Sequence, residues 1–434
     1  MDILTTTAVL GLVLLVMLAG GLWISIALAT VGYVALALFS PAPAGSLLAT
    51  TLWDHSWNWA LTALPLFVWM GEILFRARLS EDMFAGLAPW LDRLPGRLLH
   101  VNIVGCGVMA AVAGSSAVTA ATVGRMSLPE LKKRGYGETM SIGTLAGSGT
   151  LGLLIPPSIM MIVYGITAQQ SISRLFIAGI VPGLLIMAIF MGYVMLWSGL
   201  NRGAVPDAGP RLSLREKLHR SRRLIPVLLL ILGVIGSIYG GYATPTEAAT
   251  LGVFGALGLA WFAGELSWQT FKDSLMAATR TSCMITAIIL GAAFLSIGMA
   301  FLGIPAALAA WVAAQGMSPM MLLLVLTLIY IVLGCFLEGA SMIVLTSSVA
   351  LPMVIQAGFD PIWFGIYLIV VVEMAQITPP VGFNLFVLHG MSGRDMWTVT
   401  RASVPFFGLL ILVICILATF PGLVTYLPNL MISR

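Results

Sequence analysis

The sequence predicts an all-α polytopic membrane protein made of two inverted-topology repeats, each with a re-entrant helical hairpin and a broken transmembrane helix. Three observations predict it. Hydrophobic residues fill 59% of the 434 positions and charged residues only 9%, whereas a soluble domain carries about 25% charged residues. Apolar runs near the roughly 20 residues that span a bilayer as a helix recur along the whole chain, roughly ten or eleven of them. The chain also repeats itself at a nearly constant offset.

The first observation excludes a water-exposed fold, and the mean hydropathy of +1.04 agrees. The runs are continuously apolar rather than alternating, which favours helices over a β-barrel. The net charge is +4, and the basic residues are clustered: Arg76, Arg78, Arg93 and Arg97; Arg125, Lys132, Lys133 and Arg134; then Arg202, Arg211, Arg215, Lys217, Arg220, Arg222 and Arg223. Smaller groups are Lys272 with Arg280 and Arg394 with Arg401. These clusters separate apolar spans, so they mark cytoplasmic loops by the positive-inside rule and not a nucleic-acid surface. The four cysteines, Cys106, Cys283, Cys335 and Cys415, lie in apolar segments and read as buried, inert thiols. The N-terminus has Asp2 in place of a basic n-region, so it reads as part of the fold and not as a signal peptide.

The repeat is an ordered series. Leu128-Pro129 matches Leu351-Pro352, Gly135-Tyr136 matches Gly358-Phe359, Pro156-Pro157 matches Pro379-Pro380, and Pro182 matches Pro405. Earlier in each half, Gly20-Gly21 matches Gly240-Gly241, Ala29-Thr30 matches Ala249-Thr250, and Gly32 matches Gly252. Gly114-Ser115-Ser116 aligns with Gly339-Ala340-Ser341 after a small adjustment. Such internal symmetry marks two structural halves.

Each half reads alike. The first has spans near 3–20, 22–40 and 58–76, an apolar stretch 101–124 interrupted at Gly114-Ser115-Ser116, a span 138–170 interrupted at 152–157, and a last span 175–197. The second has spans near 224–241, 246–264 and 281–303, a short amphipathic piece 306–316, an interrupted stretch 320–355, a broken span 362–391, and a last span 403–425. Basic clusters flank 101–124 on both sides. A hairpin dipping in from the cytoplasm keeps both clusters inside, with arms of about 10 residues reaching about the midplane. The alternative is one ordinary helix with a small-residue packing face. A hairpin does not change sides, so each half crosses five times and the halves are inverted. Both termini then lie outside, and 320–355, bounded by Gln315 and Asp360, dips in from the outer face.

Two hairpin tips and two broken spans meeting at the midplane free carbonyls and amides that need partners. Freed carbonyls and hydroxyls suit a small cation such as sodium, and helix N-termini suit an anion. The first half offers Gly114, Ser115, Ser116 and the break from Gly152 through Pro156 and Pro157 to Ser158; the second offers Gly339, Ala340, Ser341, Thr378, Pro379 and Pro380, with Asn384 one turn on. A Pro pair also reads as a packing kink, but two pairs at matched positions favour function. Five acids lie near membrane depth: Asp54, Glu72, Glu247, Glu338 and Glu373. Glu338 adjoins the second tip and is the candidate for ion tuning or gating. Glu247 reads equally as a helix cap after Pro245, and Glu72 and Glu373 as residues that pair with a neighbouring subunit or snorkel. His55, His100, His219 and His389 are far apart in sequence and read as interfacial, and no P-loop or His-Glu-x-x-His run occurs. The twelve Trp, Trp53, Trp57 and Trp59 among them, fit interfacial belts.

At Gly114-Ser-Ser-Ala-Val-Thr-Ala-Ala-Thr122, Lys133-Arg-Gly-Tyr136, Ile155-Pro-Pro-Ser158, Tyr242-Ala-Thr-Pro-Thr-Glu-Ala248 and Thr378-Pro-Pro-Val-Gly-Phe-Asn-Leu-Phe386 the sequence resembles the large membrane subunit of the tripartite ATP-independent periplasmic (TRAP) transporters. The resemblance covers essentially the whole chain. It implies an elevator-type carrier of the ion-transporter superfamily, in a bacterial inner membrane with both termini periplasmic. It implies symport of an organic anion (a dicarboxylate, a 2-oxo acid or a sugar acid) with at least two sodium ions and no ATP. One sodium site would use Ser115, Ser116, Gly152 and Pro156, the other Gly339, Ser341, Thr378 and Pro379. The anion would meet Ser116, Ser158, Ala340 and Asn384. Arg125 would meet an anion or mark the cytoplasmic boundary. The implied partners are a periplasmic substrate-binding protein and a small four-helix membrane subunit, the latter expected as a separate chain because the first repeat starts near residue 3. In this reading 1–200 is the first repeat (scaffold 3–76, transport elements 101–170), 201–223 a basic cytoplasmic linker, and 224–434 the second repeat (scaffold 224–264, transport elements 320–391). The alternatives are a stand-alone sodium/anion symporter of the same superfamily, which would transport without a binding protein, and an intramembrane enzyme, disfavoured because no paired catalytic constellation is present.

Overall fold

The computed structural model describes residues 3–77, 79–207, 212–222, 224–335, 337–379 and 382–432. Arg78, Arg211, Arg223 and Pro380, named above, lie outside the described residues, as does Val381. Among the described residues there are twenty-one α-helices and no strand. In the first half these are α1 (Ile3–Ala19), α2 (Ile24–Phe39), α3 (Ala44–Ser56), α4 (Ala63–Arg76), α5 (Leu79–Leu91), α6 (Leu99–Ala113), α7 (Ser116–Lys133), α8 (Glu138–Gly149), α9 (Ile159–Thr167) and α10 (Ile172–Leu200). A linker helix α11 (Leu214–Ser221) follows. The second half holds α12 (Ile225–Tyr239), α13 (Pro245–Phe262), α14 (Trp268–Phe301), α15 (Ile304–Ala314), α16 (Pro319–Gly334), α17 (Gly339–Gln356), α18 (Pro361–Gln376), α19 (Phe383–Ser392), α20 (Met396–Thr419) and α21 (Gly422–Ile432).

Five helices are long and apolar enough to cross a membrane alone: Trp59–Arg76, Ile172–Leu200, Trp268–Phe301, Gly339–Gln356 and Met396–Thr419. Residues Thr5–Ala19 and helices α2, α6, α16 and α18 are apolar but shorter. The sequence count of ten or eleven full spans therefore divides in two. The shorter runs are cut by Gly20-Gly21, Ser40-Pro41, Gly114, Gly334 and the Thr378-Pro379 break. A helix of about 16 residues reaches about 24 Å, a few Å short of the hydrocarbon core, so it crosses with the help of its flanking residues or a locally thinned bilayer.

Several boundaries differ from the sequence reading. The span placed at 281–303 begins at Trp268, capped by Ser267, whose Oγ accepts the Thr270 amide at 3.0 Å. Nothing between the cap and Phe301 stops the helix, so Lys272 and Arg280 ride on it and not in a loop. The span placed at 403–425 is α20 followed by a turn at Phe420-Pro421 and then α21. Helices α3 and α5 were not expected. The hairpin arms contain 15 and 18 residues in α6 and α7, and 16 and 18 in α16 and α17. In the first hairpin, where arms of about ten were expected, α7 is longer because it continues through polar residues such as Arg125 and Lys132. Cys106 and Cys335 are buried, whereas Cys283 and Cys415 are exposed on the flanks of apolar helices, so only half of the expected inert thiols are enclosed.

Two of the glycine pairs share a backbone state, whereas Gly114 is left-handed and its counterpart Gly339 opens a helix. Gly21 and Gly241 have φ of +75° and +72°, and Gly135 and Gly358 have φ of +82° and +91°. Each follows a helix in the left-handed conformation that glycine adopts without strain. The matched prolines also fall on corresponding helices: Pro129 and Pro352 within α7 and α17, Pro182 and Pro405 within α10 and α20.

The basic clusters gather at one end of the bundle. The Leu98 amide donates to Tyr136 Oη at 3.3 Å, so α6 starts where α7 ends and the pair is a hairpin. A Cβ on Gly96 would meet Val194 and Ser198 near the end of α10. The linker helix α11 lies on α5, with Trp90 Nε1 donating to Ser221 Oγ at 2.9 Å and Ser221 Oγ to the Gly86 carbonyl at 2.8 Å. His100, expected at an interface, is fully buried there, its Nε2 2.7 Å from the Pro95 carbonyl. Exposed Trp23, Trp53, Trp57, Trp59, Trp261, Trp268, Trp311 and Trp397 ring the bundle.

Helices α2, α4, α13 and α14 interlock the early parts of the two halves. Glycine makes the approach possible. A Cβ on Gly291 of α14 would fall 2.4 Å from the Ser25 carbonyl, and one on Gly298 would fall 3.0 Å from the Gly32 carbonyl. Trp69 Nε1 donates to Ser274 Oγ across the same contact, at 3.2 Å. Close packing over small residues is what associates helices where no hydrophobic drive exists. Gly291→Ala is expected to destabilise the protein by about 1–3 kcal/mol through overpacking, read as a lower Tm in detergent. Gly11→Ala, whose Cβ would meet nothing, should leave Tm unchanged or slightly higher.

Candidate functional site

The centre of the bundle is where four helices stop and four begin. Helix α6 ends at Gly114, whose φ of +57° is left-handed, and Ser115 in extended backbone starts α7. Helix α8 tightens into a 3-10 turn over Thr150–Leu153, passes Pro156-Pro157 through a cis bond, and restarts as α9 at Ser158. Helix α16 ends at Gly334 and α17 starts after Glu338. Helix α18 ends at Gln376 and α19 starts after Gly382. Proline at each break removes a donor and blocks continuation.

The first tip and the first break are in backbone contact. A Cβ on Gly152 would lie 2.7 Å from both the Ser115 carbonyl oxygen and the Ser116 Cα, so only glycine fits. Of the residues expected in the first cation site, Ser115, Ser116 and Gly152 are therefore brought together, with Pro156 buried on the same break. Ser158 is fully buried and caps α9: its Oγ donates to the Leu153 carbonyl and accepts the Met161 amide at 3.4 Å.

The second tip meets its break slightly further up α18. A Cβ on Gly339 would touch Val372 Cγ1 at 3.0 Å, Met160 of α9 at 3.1 Å and Gln376 Nε2 at 3.5 Å. Cys335 Sγ points to the Pro379 carbonyl at 3.6 Å, and Thr378 Oγ1 bonds back to the Met374 carbonyl at 2.8 Å. Ala340 and Ser341 are buried, and their amides are held by the Glu338 carboxylate at 3.2 and 3.4 Å. Glu338, the candidate for gating, is thus the N-cap of α17. Glu247 likewise closes a capping box with Thr244, whose amide donates to it at 2.8 Å. Glu72 pairs with Arg76 one turn along its own helix at 3.1 Å, not with a neighbouring subunit, because the i,i+4 spacing brings them together.

The two broken helices run past each other in opposite directions. Glu138, at the start of α8, pairs with Arg394 beyond the end of α19 and with Lys132 at 3.4 Å. Tyr164, near the end of α9, donates to the Pro361 carbonyl at the start of α18 at 2.6 Å. A Cβ on Gly365 would collide with the Tyr164 ring, so that glycine opens the seat. Arg125 is exposed at the basic end, lining a cavity of about 380 Å³ with Lys132, Tyr136, Glu138 and Arg394.

Helix α18 is buried along its whole length from Ile362 to Gln376. Its outer end is anchored by the stacked rings of Phe359, Trp363 and Tyr367, by Trp363 Nε1 to the Leu417 carbonyl at 3.1 Å, and by Tyr367 Oη to the Leu323 carbonyl at 2.8 Å. Its inner end carries Glu373 and Gln376, each 2% exposed. The sequence reading sent Glu373 to a subunit interface or the membrane surface; the structure instead buries it at the centre, because the helix that bears it is enclosed on every side. The Ser116 hydroxyl, the Leu153 backbone amide and the Glu338 carboxylate surround it. Neither Glu373 oxygen has a hydrogen-bond partner, and the same holds for Gln376 Oε1, both amide atoms of Asn384, and the hydroxyls of Thr119 and Thr122. Asn384 is fully buried where α19 packs along α7. A Cβ on Gly124 would meet Met391, which sets the two helices in register and puts Asn384 level with the first tip. Thr119 and Thr122 follow Ser116 on one face of α7. Sequence reasoning missed Glu373 and both threonines. The available signal was an acid with no basic residue three or four positions away, unlike Glu72 with Arg76.

A buried polar group without a partner is rare and needs a reason. Here seven such atoms cluster beside freed helix ends, a donor set that fits small cations and a polar solute. Gly152→Ala should push the first tip away from its break. Transport is expected to fall roughly tenfold or more, the rate equivalent of 1–3 kcal/mol of overpacking, with normal membrane insertion; Gly192→Ala, whose Cβ meets nothing, should transport normally.

Comparison with known proteins completes the description. Residues 11–423 match the family model described as the tripartite ATP-independent periplasmic transporter, DctM component. The chain is 33% identical to the C4-dicarboxylate TRAP transporter large permease protein DctM of Pseudomonas aeruginosa over 92% of each chain. It is 32% identical to the isethionate TRAP transporter permease protein DctMQ of Oleidesulfovibrio alaskensis, over 84% of this chain and 58% of that longer one. Among solved structures, the Alcanivorax borkumensis YdaH transporter superposes with a TM-score of 0.65 at 16% identity, covering 92% of this chain and 97% of that one. That likeness concerns the fold alone.

Proposed function

The chain belongs to the tripartite ATP-independent periplasmic transporter family as its large membrane subunit, and on that premise we propose that it carries out sodium-coupled import of an organic anion delivered by a periplasmic binding protein. The observation that carries the proposal is the convergence of helix ends. Helices α6, α16 and α18 and the α8 turn end at the centre, and their C-terminal carbonyls favour cations. Helices α7, α9, α17 and α19 begin there, and their N-termini favour an anion. Both charges are needed in one place by a carrier that moves an acid against its gradient on the sodium gradient.

In this reading the first sodium ion sits between Ser115-Ser116 and Gly152–Pro156, and the second between Gly339–Ser341 and Thr378-Pro379. The anion lies between the tips, on Ser116, Ala340 and Asn384, whose unpartnered amide supports the assignment. The capping bonds of Ser158 make it a structural support for α9 more than a ligand. The antiparallel passage of the broken helices and the shared conformations of two glycine pairs support inverted repeats. A transport unit of hairpins and broken helices then moves against a scaffold built on α2, α4, α13 and α14. Basic loops facing the cytoplasm leave both termini periplasmic. The family works with a small membrane subunit and a binding protein. The relatives named for C4-dicarboxylates and isethionate support a small organic acid as the solute.

The test is uptake into proteoliposomes holding this chain with its small subunit, with the binding protein outside. Uptake should require both the binding protein and an inward sodium gradient, and a sodium ionophore should abolish it. Uptake unchanged in sodium-free buffer would end the coupling proposal, and robust uptake without binding protein would favour the stand-alone symporter. Ser116→Ala and Thr378→Ala should each raise the half-saturating sodium concentration by about fivefold, the worth of one neutral ligand of about 1 kcal/mol. Normal sodium titration in both variants would remove the site assignment.

A further inference from the structure

Among the described residues Glu373 is the only acid buried as a whole residue, and none of the caps or ion pairs described above explains it. It sits in α18, which is buried from Ile362 to Gln376 and, apart from Glu373 and Gln376, carries no charged or amide side chain over that stretch. It is 2% exposed, and the Ser116 hydroxyl and Leu153 amide that approach its oxygens make no well-aligned hydrogen bond to them. Its surroundings are the Ser116 hydroxyl of the first tip, the Leu153 backbone of the first break, and the Glu338 carboxylate that caps the second tip. Its helix neighbours Val372 and Gln376 both touch the second tip at Gly339. Both tips and the first break therefore lie around this side chain.

An ionised carboxylate in such a setting is costly by several kcal/mol unless a counter-charge joins it. No lysine or arginine is paired with Glu373 among the described residues. The Ser116 hydroxyl and the Glu338 carboxylate beside it, with the Ser115 carbonyl at the same tip, are oxygen ligands of a hard cation and not of a soft metal, whereas the Leu153 amide is a donor to the carboxylate. We propose that Glu373 is the anionic ligand of the cation site at the first tip, completing with its carboxylate a shell otherwise made of the Ser116 hydroxyl and main-chain oxygens. The inference rests on the sodium-coupled reading and adds to it a charged ligand from the opposite half of the chain.

Two consequences separate this role from packing. The occupied site is neutral, whereas the empty one leaves a buried negative charge beside Glu338. Cation binding therefore draws α18 of the second half onto the tip of the first, and the two halves close together only when loaded. A neutral isostere removes the charge while keeping the shape, so Glu373→Gln should fold with an intact core and bind sodium poorly.

The experiment is thermal unfolding of the purified protein in detergent, titrated with sodium chloride against choline chloride at constant ionic strength. The wild type is expected to gain Tm specifically with sodium. In Glu373→Gln the half-saturating sodium concentration should rise on the order of tenfold to hundredfold, the worth of one charge-assisted contact. Glu373→Asp, which keeps the charge on a shorter arm, should fall between the two. A wild-type sodium response with an unchanged midpoint in Glu373→Gln would overturn the role of Glu373 and leave sodium coupling standing. A wild type indifferent to sodium would overturn both. Should Glu373→Gln not fold, the sodium-minus-choline infrared difference spectrum of the wild type decides: a shift in the carboxylate stretching bands is expected, and a flat carboxylate region would overturn the proposal.

Discussion

Breaking a helix in hydrocarbon frees backbone amides and carbonyls, each of which costs several kcal/mol if left without a partner, and this molecule breaks four helices at its centre. Continuous helices would have satisfied every one of them. Instead four helices are interrupted there, at Gly114, at Gly152–Pro157, at Gly334–Glu338 and at Thr378–Gly382. The interruptions are tolerated because each faces another. Glycine backbone at one break sits directly on the tip of a hairpin, and the caps supplied by Ser158 and Glu338 satisfy part of what the breaks expose. What the caps leave over is a set of oxygens and amides with no protein partner, enclosed by apolar helices. The rest of the architecture holds these pieces at fixed distance. The early helices of both halves interlock over glycine, and α18 passes through the middle with its outer end pinned by aromatic rings.

Much of this was legible in the residues. Overall composition gave the membrane, and the ordered pairs of Gly and Pro marked where many helices stop or kink, because those residue types report backbone state directly. Gly135 and Gly358 illustrate it: both occupy the left-handed region that their position after a helix requires. The tips and breaks were visible for the same reason. Other features depend on tertiary context. A helix such as α14 extends until something stops it, so its polar first turns, with Lys272 and Arg280, look like a loop to a hydropathy reading. Helix α5 is amphipathic and gains its place by packing between α11 and the first hairpin, α6 and α7. The enclosure of Glu373 is invisible one residue at a time, since an isolated acid in an apolar run looks alike whether it faces lipid, a partner or the core. The run Ile362–Gln376 carried the hint, being apolar on all faces, as a helix surrounded by protein is.

The acids show how similar sequence settings diverge. Glu72 has Arg76 one turn away and needs nothing more. Glu247 and Glu338 begin helices and are consumed by their own amides. Glu373 is mid-helix, where the amides are already spent on the helix itself, so its charge looks outward across the gap to the first tip. Position within a helix, more than depth in the membrane, decides which carboxylate remains available to a ligand.

The opposed broken helices are tied at both extremities, by Glu138 with Arg394 at one and by Tyr164 with Pro361 at the other. A pair of rods fastened at both ends cannot slide lengthwise without breaking one fastening. The two interruptions they carry therefore stay level with each other whatever the surrounding helices do. A group held at one gap is therefore kept level with a group held at the other.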